Sequence, residues 1–213
     1  MSKNTNTFLV IRHGETEWNR QGKIQGFLDS PLTKLGIAQA RAAAKSLKGF
    51  TCHALYSSDL SRAIQTAAFI ASELQVKVTP EARLRERNLG VMQGLSLDEI
   101  KIHYPEVARK FIAKDLDYVF PGGESFRQTY ERSVAIFKEI AANHQNEQIV
   151  VVTHGGILDN LFRMVLNIPL NIPRKYSLKN TSINKFSVTD GEWRLETWGD
   201  VHHLENVEAM DDI

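Results

Sequence analysis

Cysteine is almost absent from this chain. Cys52 is the one thiol among 213 residues, so no intramolecular disulfide can form and a reducing, cytoplasmic setting is expected. An excess of charge of either sign is also lacking: 26 Lys and Arg stand against 25 Asp and Glu, a net charge of +1. That balance gives no overall attraction to nucleic acid or to an anionic membrane surface. No apolar run approaches the length of a membrane span, and the apolar residues near the start are too few for a secretory signal. There is no Gly-Lys-Ser or Gly-Lys-Thr loop to cradle a nucleotide. Neither a fixed-period repeat nor a low-complexity linker divides the chain.

What is present is 42% apolar residues set out in two periods. Short β-branched runs at 8–11, 54–56, 76–78 and 149–152 read as strands, the last the strongest of them. Between them, helical spacing spans 33–47, 60–74, 97–103, 107–113, 124–143 and 156–165. Ser57, Ser58 and Asp59 are N-cap candidates for the helix from 60. Strands at 183–188 and 193–197 are joined by Asp190-Gly191, a hairpin turn pair, with Trp193 and Trp198 expected to pack rather than bind a ligand. Strands alternating with helices predict an α/β fold, a three-layer α/β/α domain with a mostly parallel central sheet. One domain over 1–213 is expected, with the least regular stretch, about 88–121, as an inserted lid and an acidic, frayed tail over 205–213. The exposed hairpin edges leave room for a homodimer.

Two of the strands end alike, in Val10-Ile11-Arg12-His13-Gly14 and Val151-Val152-Thr153-His154-Gly155. Ligands of open parallel sheets bind beyond the carboxyl ends of the strands, so two imidazoles delivered there can converge on one small group. Glycine after each histidine allows a sharp turn and brings backbone N–H groups toward an anion. Either histidine alone is more simply a structural residue; the matched pair points to a site. Arg12 adjoins the first, and Arg62 lies at the strand-to-helix junction after Ser57-Ser58-Asp59. Guanidinium forks match phosphate oxygens and can hold the charge that spreads over them during transfer, the role magnesium has elsewhere.

The octapeptide Arg12-His13-Gly14-Glu15-Thr16-Glu17-Trp18-Asn19 resembles the signature of the histidine phosphatase superfamily, the phosphoglycerate mutase-like proteins. Matches continue in the same order through Gln25-Gly26, Pro31-Leu32-Thr33, the stretch 58–62, Leu84-Arg85-Glu86, Gly90 with Gln93-Gly94, Pro121-Gly122-Gly123-Glu124, Thr153-His154-Gly155-Gly156 and Asn180-Thr181-Ser182, covering nearly the whole chain. The resemblance implies a phosphoglycerate mutase-like fold and metal-independent phosphoryl transfer to and from a small phosphorylated substrate, with no cofactor. His13 would be the nucleophile, its second ring nitrogen held by a backbone carbonyl and its pKa lowered by flanking arginines. Arg12, Arg62 and His154 would form the phosphate pocket, lined further by Thr16, Asn19, Gln25, Gly26 and Gly155. Glu86 would protonate the leaving alkoxide and then activate water; without the resemblance it reads as a carboxylate paired among Arg83, Arg85 and Arg87.

Mutases of the superfamily hold their substrate with a Tyr three residues after that Glu and a Lys further on, and the matching positions here are Leu89 and Leu97. Arg109-Lys110 lies roughly where mutases carry paired arginines. A phosphomonoester hydrolase is therefore expected, with phosphoglycerate mutase and a non-catalytic phospholigand-binding protein as the alternatives. The apolar residues Leu89, Val91, Met92, Leu95, Leu97 and Phe111 suggest a leaving group that is partly hydrophobic. Competing signals are weak. Asp115-Leu116-Asp117-Tyr118-Val119 fits a motif of aspartate-using phosphatases but lacks the apolar strand that must precede it. Cys52 has Ser58, not Arg, six positions on. His202, His203 and Glu205 are more simply solvated than metal-ligating, and no metal is expected.

Overall fold

The computed structural model describes residues 4–205 and 207. The acidic tail expected from 205 lies, apart from Glu205 and Val207, outside the described residues. In chain order the elements are β1 (Thr5–Arg12), α1 (Glu17–Arg20), α2 (Lys34–Ser46), β2 (Ala54–Ser57), α3 (Ser61–Leu74), β3 (Val78–Pro80), α4 (Leu97–His103), α5 (Pro105–Ile112), α6 (Phe126–Asn143), β4 (Gln148–Thr153), α7 (Gly155–Leu166), β5 (Ile183–Thr189) and β6 (Glu192–Asp200). The strands form one sheet in the order β3-β2-β4-β1-β5-β6. β3, β2, β4 and β1 run parallel, and the β5–β6 hairpin joins β1 antiparallel.

Period-two alternation in the central strands sorts their side chains into two cores. Phe8, Val10, Ile149 and Val151 pack against Ile136, Phe137 and Ile140 of α6 and Ile157, Leu158 and Leu161 of α7. Leu9, Ile11, Val150 and Val152 face Ala44 of α2 and Ala63, Ala67 and Ile70 of α3. Every residue from Ile149 to Val152 is wholly buried, the mark of a strand covered on both faces. Each large side chain so buried contributes roughly 1.5–3 kcal/mol of transfer free energy. The sheet is thereby fixed in a helix–sheet–helix stack. The two tryptophans close one end of the larger core, Trp193 against Phe8 at 5.0 Å between ring centroids and Trp198 against Phe162 at 4.2 Å. No helix of the described residues is long and apolar enough to cross a membrane.

Local expectations fail where a distant group intervenes. The third strand starts at Val78 rather than residue 76, because Gln75 closes α3 in the left-handed conformation and the Val76 N–H is spent on Ala71 O at 3.1 Å. Pro80 is the last residue of that strand and closes it, a position that an edge strand tolerates. None of Ser57, Ser58 and Asp59 caps α3; its N-cap is Leu60, which has no capping side chain. The cap comes from Asp29 instead, whose Oδ2 accepts from Ser61 N at 2.7 Å.

The stretch 88–121 carries α4 and α5 and has a small core of its own. Leu89, Met92, Ile100, Val107, Ala108 and Phe120 are buried together, with Val91, Leu95, Phe111, Tyr118 and Phe126 packed around them. Of the residues expected to wall a leaving group, Leu89 and Met92 are turned into this cluster. Asp115 lies in a loop, where its Oδ1 accepts from Tyr118 N at 3.2 Å.

Candidate active site

β1 and β4 are neighbours in parallel register, with Ile11 opposite Val152 and Arg12 opposite Thr153. The residue following each strand is a histidine, and the pairing carries one step further: His13 N donates to Thr153 O at 2.9 Å. The two imidazoles consequently meet beyond the sheet's carboxyl edge, their ring centroids 5.1 Å apart. β2 lies on the other side of β4, and Ser58 N donates to Val152 O at 2.9 Å, which brings Ser58 to the same edge. His13 is 3% exposed and His154 is wholly buried.

Each ring has one nitrogen committed. His13 Nδ1 lies 2.7 Å from Gly14 O, and a carbonyl can only accept, so Nδ1 carries the proton and Nε2 keeps its lone pair. His154 Nε2 lies 2.7 Å from Ser58 Oγ, and its Nδ1 is buried without a partner. Burial, followed by the charges of Arg62 and Arg12, holds the His13 imidazole well below its usual range. Burial, then Arg62 and His13, does the same for His154. Both are neutral at pH 7.

Two guanidiniums flank the imidazoles. Arg62, 1% exposed, is fixed from three directions. Its Nη1 donates to Leu28 O at 2.9 Å and to Asp29 Oδ1 at 2.8 Å, and its Nη2 donates to Gly26 O at 2.8 Å. Arg12 donates through Nη1 to Leu178 O, in the connection between α7 and β5. In both residues Nε is buried and without a partner. Burial, opposed by Glu86 and reinforced by Arg174 and Arg62, pushes Arg12 down to about 10, which still leaves it charged at pH 7.

Glu86 reaches the same place from the turn before residue 88. Its Oε2 accepts from Gly156 N at 2.9 Å, in the first turn of α7, and its Oε1 accepts from Arg87 N at 2.9 Å. A methyl on Gly156 would collide with this carboxylate, so glycine there is needed for closeness. The Glu86 backbone is braced from α6, since Arg132 donates to the carbonyls of Arg83, Arg85 and Glu86 at 2.7, 2.9 and 3.2 Å while Glu124 holds Arg132 at 2.8 Å. Arg87 lies over the Phe126 ring, 3.8 Å from its centroid, and donates to Thr129 Oγ1 at 3.3 Å. Burial pushes it down to about 10, although Glu86 and Glu124 oppose this.

The remaining expected residues divide between lining and scaffold. Thr16 and Asn19 cap α1 reciprocally, the Thr16 hydroxyl accepting from Asn19 N and Asn19 Oδ1 from Thr16 N, both at 3.2 Å. The cap uses the Thr16 hydroxyl only as an acceptor, so its O–H remains to donate, and Asn19 keeps its amide donors. Gln25 is buried with Oε1 unpartnered; a half-turn about its last bond exchanges that oxygen for a donor. Gly26 holds Arg62, and a Cβ on Gly155 would lie 3.6 Å from Arg12 Nε. Gly14 N donates to Thr66 Oγ1 at 3.0 Å, so it is not the anion donor its position suggests; a Cβ there would lie 2.5 Å from Gly36 O. Leu89 is buried in the 88–121 cluster, and Arg109 is exposed and paired with Glu106 at 2.6 Å. Asp29 and Arg132 were not singled out from the sequence; Ser58 and Asn180, whose Nδ2 donates to His13 O at 2.9 Å, lay within the matched motifs but were given no role in the site. Among the described residues no group of three or more His, Cys, Asp or Glu could hold a metal ion, and His203 sits instead 3.3 Å from Thr181 Oγ1.

Comparison with known proteins agrees over almost the full length. The profile of the Histidine phosphatase superfamily (branch 1) matches residues 8–201. The chain is 41% identical over 201 residues to Phosphoglycerate mutase-like protein 4 of Arabidopsis thaliana, covering 92% of this chain and 86% of that protein. It is 39% identical over 207 residues to the Metal-independent phosphoserine phosphatase of the same plant, covering 93% and 83%. The solved structure of Bacillus stearothermophilus YhfR superposes with a TM-score of 0.87 at 32% identity, covering 94% of this chain and all of that one.

Proposed function

The chain belongs to the histidine phosphatase superfamily, and on that footing we propose that it hydrolyses small phosphomonoesters without a metal ion, through a phosphohistidine at His13. The observation that carries the reading is a set of three buried nitrogens without partners, Arg12 Nε, Arg62 Nε and His154 Nδ1, gathered around an imidazole whose Nε2 lone pair is free. Unpartnered buried donors cost roughly 1–3 kcal/mol each, a cost that a phosphoryl group placed among them repays.

In the first step His13 Nε2 attacks phosphorus, the ester P–O bond breaks, and the departing oxygen takes the proton of the Glu86 carboxyl group. In the second, the Glu86 carboxylate takes a proton from water, the water oxygen attacks phosphorus, and the N–P bond breaks to release phosphate. Arg12, Arg62 and the His154 N–H hold the equatorial oxygens in both steps, which are related by microscopic reversal. Asn19, Gln25, Gly26 and Gly155 line the pocket, and the 88–121 segment serves as a lid over it. Among the described residues Arg87 stands beside Glu86 with no ion-pair partner of its own: Glu124 is taken by Arg132, and Asp159 by Arg163 at 2.9 Å. This suits a leaving group that carries a carboxylate, as phosphoserine in the name of the 39%-identical relative does.

Phosphoglycerate isomerisation is the competing reading, since another relative is named mutase-like. Hydrolysis is favoured because Leu89 and Leu97 offer no polar contact to keep a bisphosphorylated intermediate in place. The test is an assay of purified protein in EDTA against a panel of phosphomonoesters that includes phosphoserine, with phosphoglycerate isomerisation run in parallel. Hydrolysis undiminished by EDTA is expected. Activity lost to the chelator, or isomerisation faster than hydrolysis, would overturn this assignment.

A further inference from the structure

We infer that Ser58 is a positioning residue that fixes His154 in the tautomer with its proton on Nδ1, turning that imidazole into a neutral N–H donor for the phosphoryl group. The inference rests on the reading of the site given above and concerns how one of its donors is made.

The argument is a count of hydrogens around one hydroxyl. Ser58 is wholly buried, so its O–H must find an acceptor within the protein. Its oxygen accepts from Leu60 N at 3.3 Å, and among the described residues the acceptor in reach of its hydrogen is His154 Nε2 at 2.7 Å. If Nε2 carried the ring proton it would donate to Ser58 Oγ, and the Ser58 hydroxyl hydrogen would have to turn away with no acceptor in reach among the described residues. The opposite arrangement satisfies every group: Leu60 N–H donates to Ser58 Oγ, Ser58 O–H donates to His154 Nε2, and the ring proton goes to Nδ1. Nδ1 is the buried nitrogen that has no partner in the protein. The chain of donors therefore ends in an N–H beside Arg62 and His13. A fixed donor of this kind costs no reorganisation at the moment of transfer. The position of Ser58 is itself set by the sheet, through its N–H on Val152 O.

Nitrogen chemical shifts of the protein labelled with ¹⁵N-histidine report the tautomer directly, in the free enzyme and without turnover. The expected spectrum at pH 7.5 shows His154 with Nδ1 protonated and Nε2 unprotonated. His154 protonated on Nε2, or an averaged pair of shifts, would overturn the inference. In Ser58→Ala the single-tautomer signature should be lost and kcat should fall by roughly 10- to 10²-fold, part of the loss that removing a whole oxyanion donor brings. An unchanged Nδ1–H signature in that variant would equally refute the role of Ser58. Should the variant fail to fold, the wild-type spectrum decides alone. Failure of the phosphohistidine reading is separate, because it shows as wild-type protein that turns over substrate without ever carrying label on His13.

Discussion

The ends of β1 and β4 offer the same local pattern, a buried strand followed by His-Gly, yet the structure leaves opposite faces of the two rings open. At His13 the committed nitrogen meets a carbonyl, which can only accept, so what remains is a lone pair. At His154 the committed nitrogen meets a buried hydroxyl whose hydrogen needs that nitrogen as its acceptor, so what remains is a proton. Two imidazoles of equal burial and similarly depressed basicity thus become a nucleophile and a donor. The difference lies in the second partner of each ring and not in the strand that delivers it.

Substitutions that break the comparison at the nucleophile should have the largest effect. His13→Ala is expected to lose turnover on the order of 10⁴-fold or more, measured as kcat/KM, because no other group can take the phosphoryl group. Glu86→Gln should slow hydrolysis by up to about 10²–10⁴-fold for poor leaving groups and far less for nitrophenyl esters. Equal slowing across leaving groups would remove the acid role. Arg62→Ala should cost about 10²–10³-fold, the loss typical of one preorganised donor, while a slow phosphoenzyme still forms.

The smallest effect sharpens the comparison through stability. Burial holds both histidines below the usual value of 6.5, so below that pH the unfolded chain takes up protons that the folded chain refuses. Stability is then complete above about pH 6.5 and falls as the pH drops, by up to ~1.4 kcal/mol per pH unit for each imidazole. Urea midpoints measured between pH 7 and 5 should show this slope in the wild type and less of it in a His13→Asn, His154→Asn double variant. An identical slope in the variant would mean that these rings are not kept neutral by the fold.

The alternation in β1 and β4 and the pairing of their His-Gly endings were legible in the sequence, because strand period, burial and strand-end geometry are local properties. Arg62 was also legible, since a strand-to-helix junction is a local signal. Asp29 was not: it caps α3 and holds Arg62 from more than thirty residues upstream, and no periodicity registers a contact made by folding. Ser58 looked like a helix cap for the same reason, and its partner His154 is 96 residues away. Of the apolar residues of 88–121 expected to face a leaving group, Leu89 and Met92 pack inward instead. Composition cannot say whether Leu89 and Met92 turn toward a substrate or toward Phe120, and the aromatic cluster around Phe120 decided it.

Rapid quenching of the wild-type enzyme with ³²P-labelled phosphomonoester, followed by peptide mapping, tests the central claim most directly. Acid-labile, base-stable label on the peptide containing His13 within the first turnover, and none in His13→Ala, is the expected result. Turnover at the normal rate with no label on that peptide at any quench time would contradict it.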